Sequence, residues 1–238
     1  MNNLFFEDLE LIKKDDKQYE AYQSMSNSVI IAGPGSGKTR VLTLKAVTLA
    51  KNHIHKPCGL ACISYSRESV RELKKRLKSY GYTASNKDFI GTVHSFSLLH
   101  VIQPFAHLYP QYNVNYPVKI LPNEIENKLY NSTLKDLGIE DSSKLSLGDI
   151  NKHRSLSQQG RSLVNMESSE LIAKAAKIYE AKISETEYID FTNIINLSAK
   201  IINEQEYVRE TLRSQFPWLL VDEYQDLGKA LHEMVLEL

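Results

Sequence analysis

The chain has 238 residues, 42% hydrophobic and 24% charged, the balance of a globular protein with room for one large domain or two small ones. Its 29 basic residues equal its 29 acidic ones, which argues against a generic polyanion-binding protein and leaves any nucleic-acid contact to local patches. No apolar run approaches the ~18 residues of a membrane span, and residues 1–16 are acidic and broken by charge, unlike a signal peptide.

In chain order, residues 15–24 are polar with helical character. They precede residues 28–32, a β-branched run closed by Gly33-Pro34-Gly35 and predicted as a fully buried parallel strand. Residues 37–52 read as a helix whose broad apolar face includes Val41, Leu42, Leu44, Lys45, Val47, Thr48 and Leu49. A second strand is predicted over 58–64. It contains Cys58 and Cys62, which lack the further cysteines or clustered histidines of a metal site, so a reduced, cytoplasmic protein is expected. Residues 67–80 form an amphipathic helix on the stripe Val70, Leu73 and Leu77, with Gly81 as its stop. It carries six basic and two acidic residues, either a solvated face or a source of sequence-independent phosphate attraction. A third strand, 88–92, leads into a helix over 94–103.

The character changes after Pro104. No strand is predicted up to about residue 186; helical periodicity marks 121–137 and 168–183, while 142–160 is polar. Helices follow at 190–203 and 204–214, then a buried strand over 216–222 and a helix over 229–238. Strands alternating with helices imply a parallel α/β sheet with covered faces, interrupted by a helical insertion. The 13 tyrosines decide nothing alone, since such rings stack on bases or simply pack with a wet hydroxyl.

The densest chemical signal is Ala32-Gly33-Pro34-Gly35-Ser36-Gly37-Lys38-Thr39, with a predicted strand before it and a helix after it. Glycines let backbone N–H groups close around a phosphate without Cβ clashes, and the helix start adds its positive dipole end. Lys38 can reach the β- and γ-phosphates, and the Thr39 hydroxyl can ligate Mg2+. Ala32 stands where the general pattern has glycine. The bland alternative is a glycine-rich turn before a helix; Gly37-Lys38-Thr39 in register behind a strand argues against it.

The second signal is Asp222-Glu223-Tyr224-Gln225-Asp226 directly after the last strand. A carboxylate at the end of a parallel strand emerges at the ligand-binding edge of the sheet. There Asp222 can hold Mg2+ and Glu223 can orient and deprotonate an attacking water.

With both signals in place, the chain resembles the front half of UvrD/Rep-type superfamily 1 DNA helicases. Asp16-Lys17-Gln18 with Ala21 resembles the Q motif, whose glutamine reads the adenine edge. Residues 32–39 resemble motif I, where that family commonly has alanine first, and Arg40 fits the pattern that follows. Ser64-Tyr65-Ser66-Arg67 resembles motif Ia, usually Thr-Phe-Thr-Asn; the hydroxyls and the ring are kept, and Arg67 departs from it. Gly91-Thr92-Val93-His94-Ser95 resembles motif Ib, Asp190-Phe191 the short motif before the last strand, and residues 222–226 motif II. The motifs occur in the family's order across essentially the whole chain.

The resemblance implies a P-loop NTPase (RecA-like) sheet domain with helices on both faces, called 1A, over 1–104 and 187–238. A helical insertion subdomain, 1B, would occupy 105–186. It implies ATP and Mg2+ as ligands, single-stranded DNA as partner, nucleotide contacts from Gln18, Gly33, Pro34, Gly35, Ser36, Gly37, Lys38, Thr39 and Arg40, and Gln225 as a coupling position. Tyr65 would stack on a base, with Ser64 or Ser66 bonding a phosphate. His94 either contacts the strand or caps the helix it begins. The later motifs, including the arginines of a second motor domain, are absent from the sequence. The chain is therefore expected to be part of a longer protein and to hydrolyse ATP very slowly alone. Three rivals remain: a different P-loop enzyme such as a kinase, a non-catalytic ATP- or DNA-binding module, and an RNA-acting relative.

Overall fold

The computed structural model describes residues 1–33, 35–140, 145–157, 166–224 and 228–238. In chain order its main elements are α1 (Asn3–Ile12), α2 (Asp16–Gln23), α3 (Lys38–Asn52), β1 (Leu60–Ser64), α4 (Arg67–Ser79), β2 (Phe89–Thr92), α5 (Val93–Phe96), α6 (Gln103–Phe105), β3 (Lys119–Ile120), α7 (Asn123–Asp136), α8 (Leu147–Ser157), α9 (Met166–Ser184), β4 (Tyr188–Ile189), α10 (Phe191–Glu204), α11 (Glu206–Gln215), β5 (Trp218–Val221) and α12 (Lys229–Leu236). Contacts divide the chain into two compact units.

The first unit takes Met1–Phe96, the described residues from Arg209 through β5 to Tyr224, and Leu238. Its sheet is parallel, in the order β2-β1-β5. Ser64 is in register with Thr92, and Ile63 with Val221. The Asp222 N–H donates to the Ile63 carbonyl at 2.9 Å. Ser64, Thr92 and Asp222 therefore share the C-terminal edge of the sheet, where α/β folds present ligand-binding groups. Beneath that edge, Leu44 and Val47 of α3, Leu60 and Cys62 of β1, and Leu73 and Leu77 of α4 form one buried cluster with Phe5 and Ile12 of α1. Each large apolar side chain so buried contributes roughly 1.5–3 kcal/mol. Burial pushes the Cys62 thiol pKa up, and among the described residues no group of metal-ligating side chains gathers around it.

Local chemistry fixes the helix starts. The Asn2 and Asp15 side chains accept from backbone N–H groups of the first turns of α1 and α2, and Ser66 does so for α4. The stripe Val70, Leu73 and Leu77 faces inward as its spacing requires.

The strand predicted over 28–32 does not form. Val29, Ile30 and Ile31 are exposed, Ile31 by 94%, and the segment has no regular structure. A β-branched run becomes a strand only when a neighbour takes its backbone hydrogen bonds. Among the described residues none does, and the outer edge of β5 is likewise without a partner strand.

The second unit takes Ser97–Val208 with α12. The helix predicted over 94–103 is realised as α5, a π-helical stretch Ser97–Ile102 and α6. Helices dominate, as expected, but β3 and β4 pair in parallel, Lys119 with Tyr188 and Ile120 with Ile189, in a region where no strand was predicted. With two residues each they carry no readable periodicity. The core gathers Leu121, Leu134, Leu145, Ile150, Ala175, Tyr179 and Ile183. Beside it Arg154 and Asp190, each side chain 3% exposed, form an ion pair at 2.5 Å. Arg154 also donates to Glu180 and Asn151 and lies over the Tyr179 ring. Asp190 additionally accepts from the Asn193 N–H, capping α10. No helix among the described residues is long and apolar enough to cross a membrane.

Candidate nucleotide and nucleic-acid site

The loop before α3 turns through Gly35 and Gly37, with φ of 75° and 84°. That left-handed region strains any residue with a Cβ. At Gly37 a Cβ would also lie 3.4 Å from the Gln18 side-chain oxygen, so α2 brings its glutamine against the loop. Asp15 orients that carboxamide: Gln18 Nε2 donates to Asp15 Oδ2 at 3.1 Å. Lys38 Nζ donates to the carbonyls of Ala32 and Gly33 at 2.7 and 2.9 Å, so the loop is folded onto its own lysine. Among the described residues the buried Ser36 hydroxyl has no hydrogen-bond partner. Thr39 lies in the first turn of α3, half-buried. Arg40 Nε sits 3.5 Å from Asp8 of α1. Pro34 and Gln225 lie outside the described residues.

The acidic pair stands where β5 ends. Asp222 is 7% exposed, and its pKa is raised, first by burial and then by the neighbouring Glu223 charge; Glu72 of α4 acts the same way and Lys38 opposes it. Glu223 has φ of 54°, an unusual backbone for a residue with a side chain and a form of strain that clusters at functional sites. Among these residues the Thr39 hydroxyl and the Asp222 carboxylate are hard oxygen donors of the kind Mg2+ takes. Carboxylates crowded together and opposed by one lysine favour a bound cation, so the donor set fits the metal.

The residues expected at DNA are partly brought together. Tyr65 is 48% exposed, and its ring centroid lies 6.3 Å from that of His94. Burial lowers the His94 pKa, favouring the neutral imidazole. In α5 the Thr92 hydroxyl accepts from the Ser95 N–H at 3.3 Å. The two serines are less available than the sequence suggests. Ser64 is fully buried, its hydroxyl without a partner among the described residues, and Ser66 spends its hydroxyl capping α4, accepting from Ser69 N–H at 3.0 Å. On α4, Arg71 and Arg76 pair with Glu68 and Glu72, and Arg67, Lys74, Lys75 and Lys78 are exposed.

Asp15 is readable from the sequence as a capping residue three positions before Gln18, and Lys45 stands in the predicted apolar face of residues 37–52, where a charged residue is itself the signal.

One unit thus holds a parallel sheet, an acidic pair at the end of β5 and a glycine-rich loop before α3. The chain belongs to the UvrD/REP helicase N-terminal domain family, whose model matches residues 14–238. It is 26% identical over 226 residues to the ATP-dependent DNA helicase Rep of Escherichia coli (strain K12), covering 87% of this chain and 31% of that protein. To the ATP-dependent DNA helicase PcrA of Bacillus subtilis (strain 168) it is 24% identical over 229 residues, covering 93% of this chain and 30% of the relative. The chain thus spans less than a third of the length of these curated relatives.

Proposed function

We propose that this chain is the ATP-binding portion of an ATP-dependent helicase or translocase that moves on single-stranded DNA. The observation that carries the reading is the shared edge. Asp222 extends from a strand held in register with β1, and Lys38 of the loop is among the charges acting on its carboxylate. Residues 105–186 serve as the 1B insertion between the two parts of 1A, 1–104 and 187–238.

In this reading the loop N–H groups and Lys38 bind the phosphates, Lys38 exchanging the Ala32 and Gly33 carbonyls for phosphate oxygens. The Ser36 hydroxyl gains a partner, Gln18 reads the adenine edge, and Arg40 stands beside the nucleotide. Thr39 and Asp222 hold Mg2+, which when bound neutralises charge on the phosphate oxygens. Glu223 aligns the attacking water and accepts its proton. At the strand-end loops Tyr65 stacks on a base with His94 at its side, sequence-tolerant contacts suited to a moving motor. Gln225 links the two functions.

In this class of motor a second domain supplies arginines to the transferring phosphoryl group, an effect of about 10³–10⁵ in rate in other NTPases. Turnover by the 238-residue chain is therefore expected to be at least about 10³ slower than that of the whole protein. Steady-state ATP hydrolysis, measured with single-stranded DNA and with RNA of equal length, tests this. The expected result is DNA-stimulated turnover by the whole protein only. Robust DNA-stimulated turnover by the isolated chain would refute the division of labour, and stronger stimulation by RNA would change the substrate.

A further inference from the structure

Lys45 lies about two helical turns beyond Lys38 on α3. It is 7% exposed, and burial lowers its pKa. Its ammonium donates to the Ala21 carbonyl at 3.1 Å and to the Ser24 carbonyl. These are carbonyls from the last turn and the C-cap of α2, which the helix itself leaves unsatisfied. No carboxylate pairs with Lys45 among the described residues. A buried ammonium is costly to keep, and here its partners are the negative end of a helix dipole.

The helix it holds needs holding. The eight-residue α2 has no fully buried residue, and helices this short are marginal without tertiary support. Besides Lys45, the Tyr22 hydroxyl bonds Thr48 of α3 at 2.8 Å. Between the Asp15 cap at one end and the Lys45 clamp at the other stands Gln18, whose side-chain oxygen lies against Gly37.

We propose that Lys45 is a positioning residue for base recognition: by clamping the last carbonyls of α2 to α3, it fixes where Gln18 stands over the phosphate loop. This deepens, and rests on, the nucleotide-binding reading of the loop and Gln18. An apolar residue could fill the same space but would leave the carbonyls unpaired and α2 free to shift. The consequence is selective. Contacts to the phosphates come from the loop and should survive; contacts to the base come through α2 and should not.

The test compares Mg2+-dependent binding of ATP and of inorganic tripolyphosphate, which has no base, by calorimetric titration of the 238-residue chain. Lys45→Met is expected to weaken ATP binding about tenfold, with tripolyphosphate affinity unchanged. Lys45→Arg, which keeps a donor at the carbonyls, should stay within about twofold of wild type. In a Gln18→Ala background, Lys45→Met should cost nothing further, because the two act in series. Tyr22→Phe, which breaks the other tether without emptying the core, should shift the ATP-to-tripolyphosphate ratio in the same direction even if Lys45→Met fails to fold. Equal weakening of both ligands by Lys45→Met, a further loss in the Gln18→Ala background, or an unchanged ratio in Tyr22→Phe would overturn the Lys45 inference alone. A wild type that binds ATP no better than tripolyphosphate, or an unaffected Gln18→Ala, would overturn the base-reading role of Gln18 and the inference with it.

Discussion

Glu223→Gln in the whole protein is expected to lower ATP turnover by about 10²–10⁴-fold while leaving ATP affinity within a few-fold. The substitution keeps the size and shape of the side chain and removes its charge and its ability to take a proton. Asp222 precedes it with a buried carboxylate whose pKa is raised, first by burial and then by the Glu223 charge; Glu223 itself is half-buried. Its left-handed backbone, φ 54°, sets its side chain on a different course from the strand that leads into it. Single-turnover hydrolysis alongside ATP titration separates chemistry from binding. Unchanged turnover would remove Glu223 from the chemistry, and parallel loss of affinity and rate would make it a binding residue.

The second large effect concerns stability. Arg154→Met is expected to destabilise the second unit by about 3–5 kcal/mol, because it leaves Asp190 buried and unpaired. The ion pair is 2.5 Å long with both side chains 3% exposed, and Asp190 also starts α10. Replacing both partners, Arg154→Met with Asp190→Leu, should cost less than the sum of the two single changes, the excess measuring their coupling. Urea unfolding followed by circular dichroism reads both. A midpoint unmoved by Arg154→Met would mean that the pair contributes nothing net.

Much of this was legible in the residues. The helix predicted over 67–80 declared itself through a clean apolar stripe and a glycine stop, local signals that the packing agrees with. The strands β1 and β5 were readable as short apolar runs, and the acid at the end of β5 could be placed at the sheet edge because a parallel strand delivers its C-terminus there. Most of what failed was set by partners distant in sequence. The run 28–32 has the composition of a strand, yet a strand is a relation between two backbones, and among the described residues the second is lacking. Strands β3 and β4 are too short for alternation to show, and the helix α1 hid in a stretch read only for its charge. In the site, Ser64 and Ser66 were chosen for their hydroxyls, but one is sealed beneath the edge and the other is claimed by its own helix. The partners of Lys45 and Arg154 were not readable because they lie elsewhere in the chain: for Lys45 the end of another helix, for Arg154 a carboxylate on a distant element.

In the proposed function the loop and the strand-end acids serve one metal-bound triphosphate. Calorimetric titration of the chain with ATP, with and without Mg2+, in wild type and in Asp222→Asn, tests this most directly. Mg2+ is predicted to tighten ATP binding by about tenfold or more in wild type and to have little effect in the variant. The same Mg2+ enhancement in both proteins would separate Asp222 from the nucleotide and contradict the account.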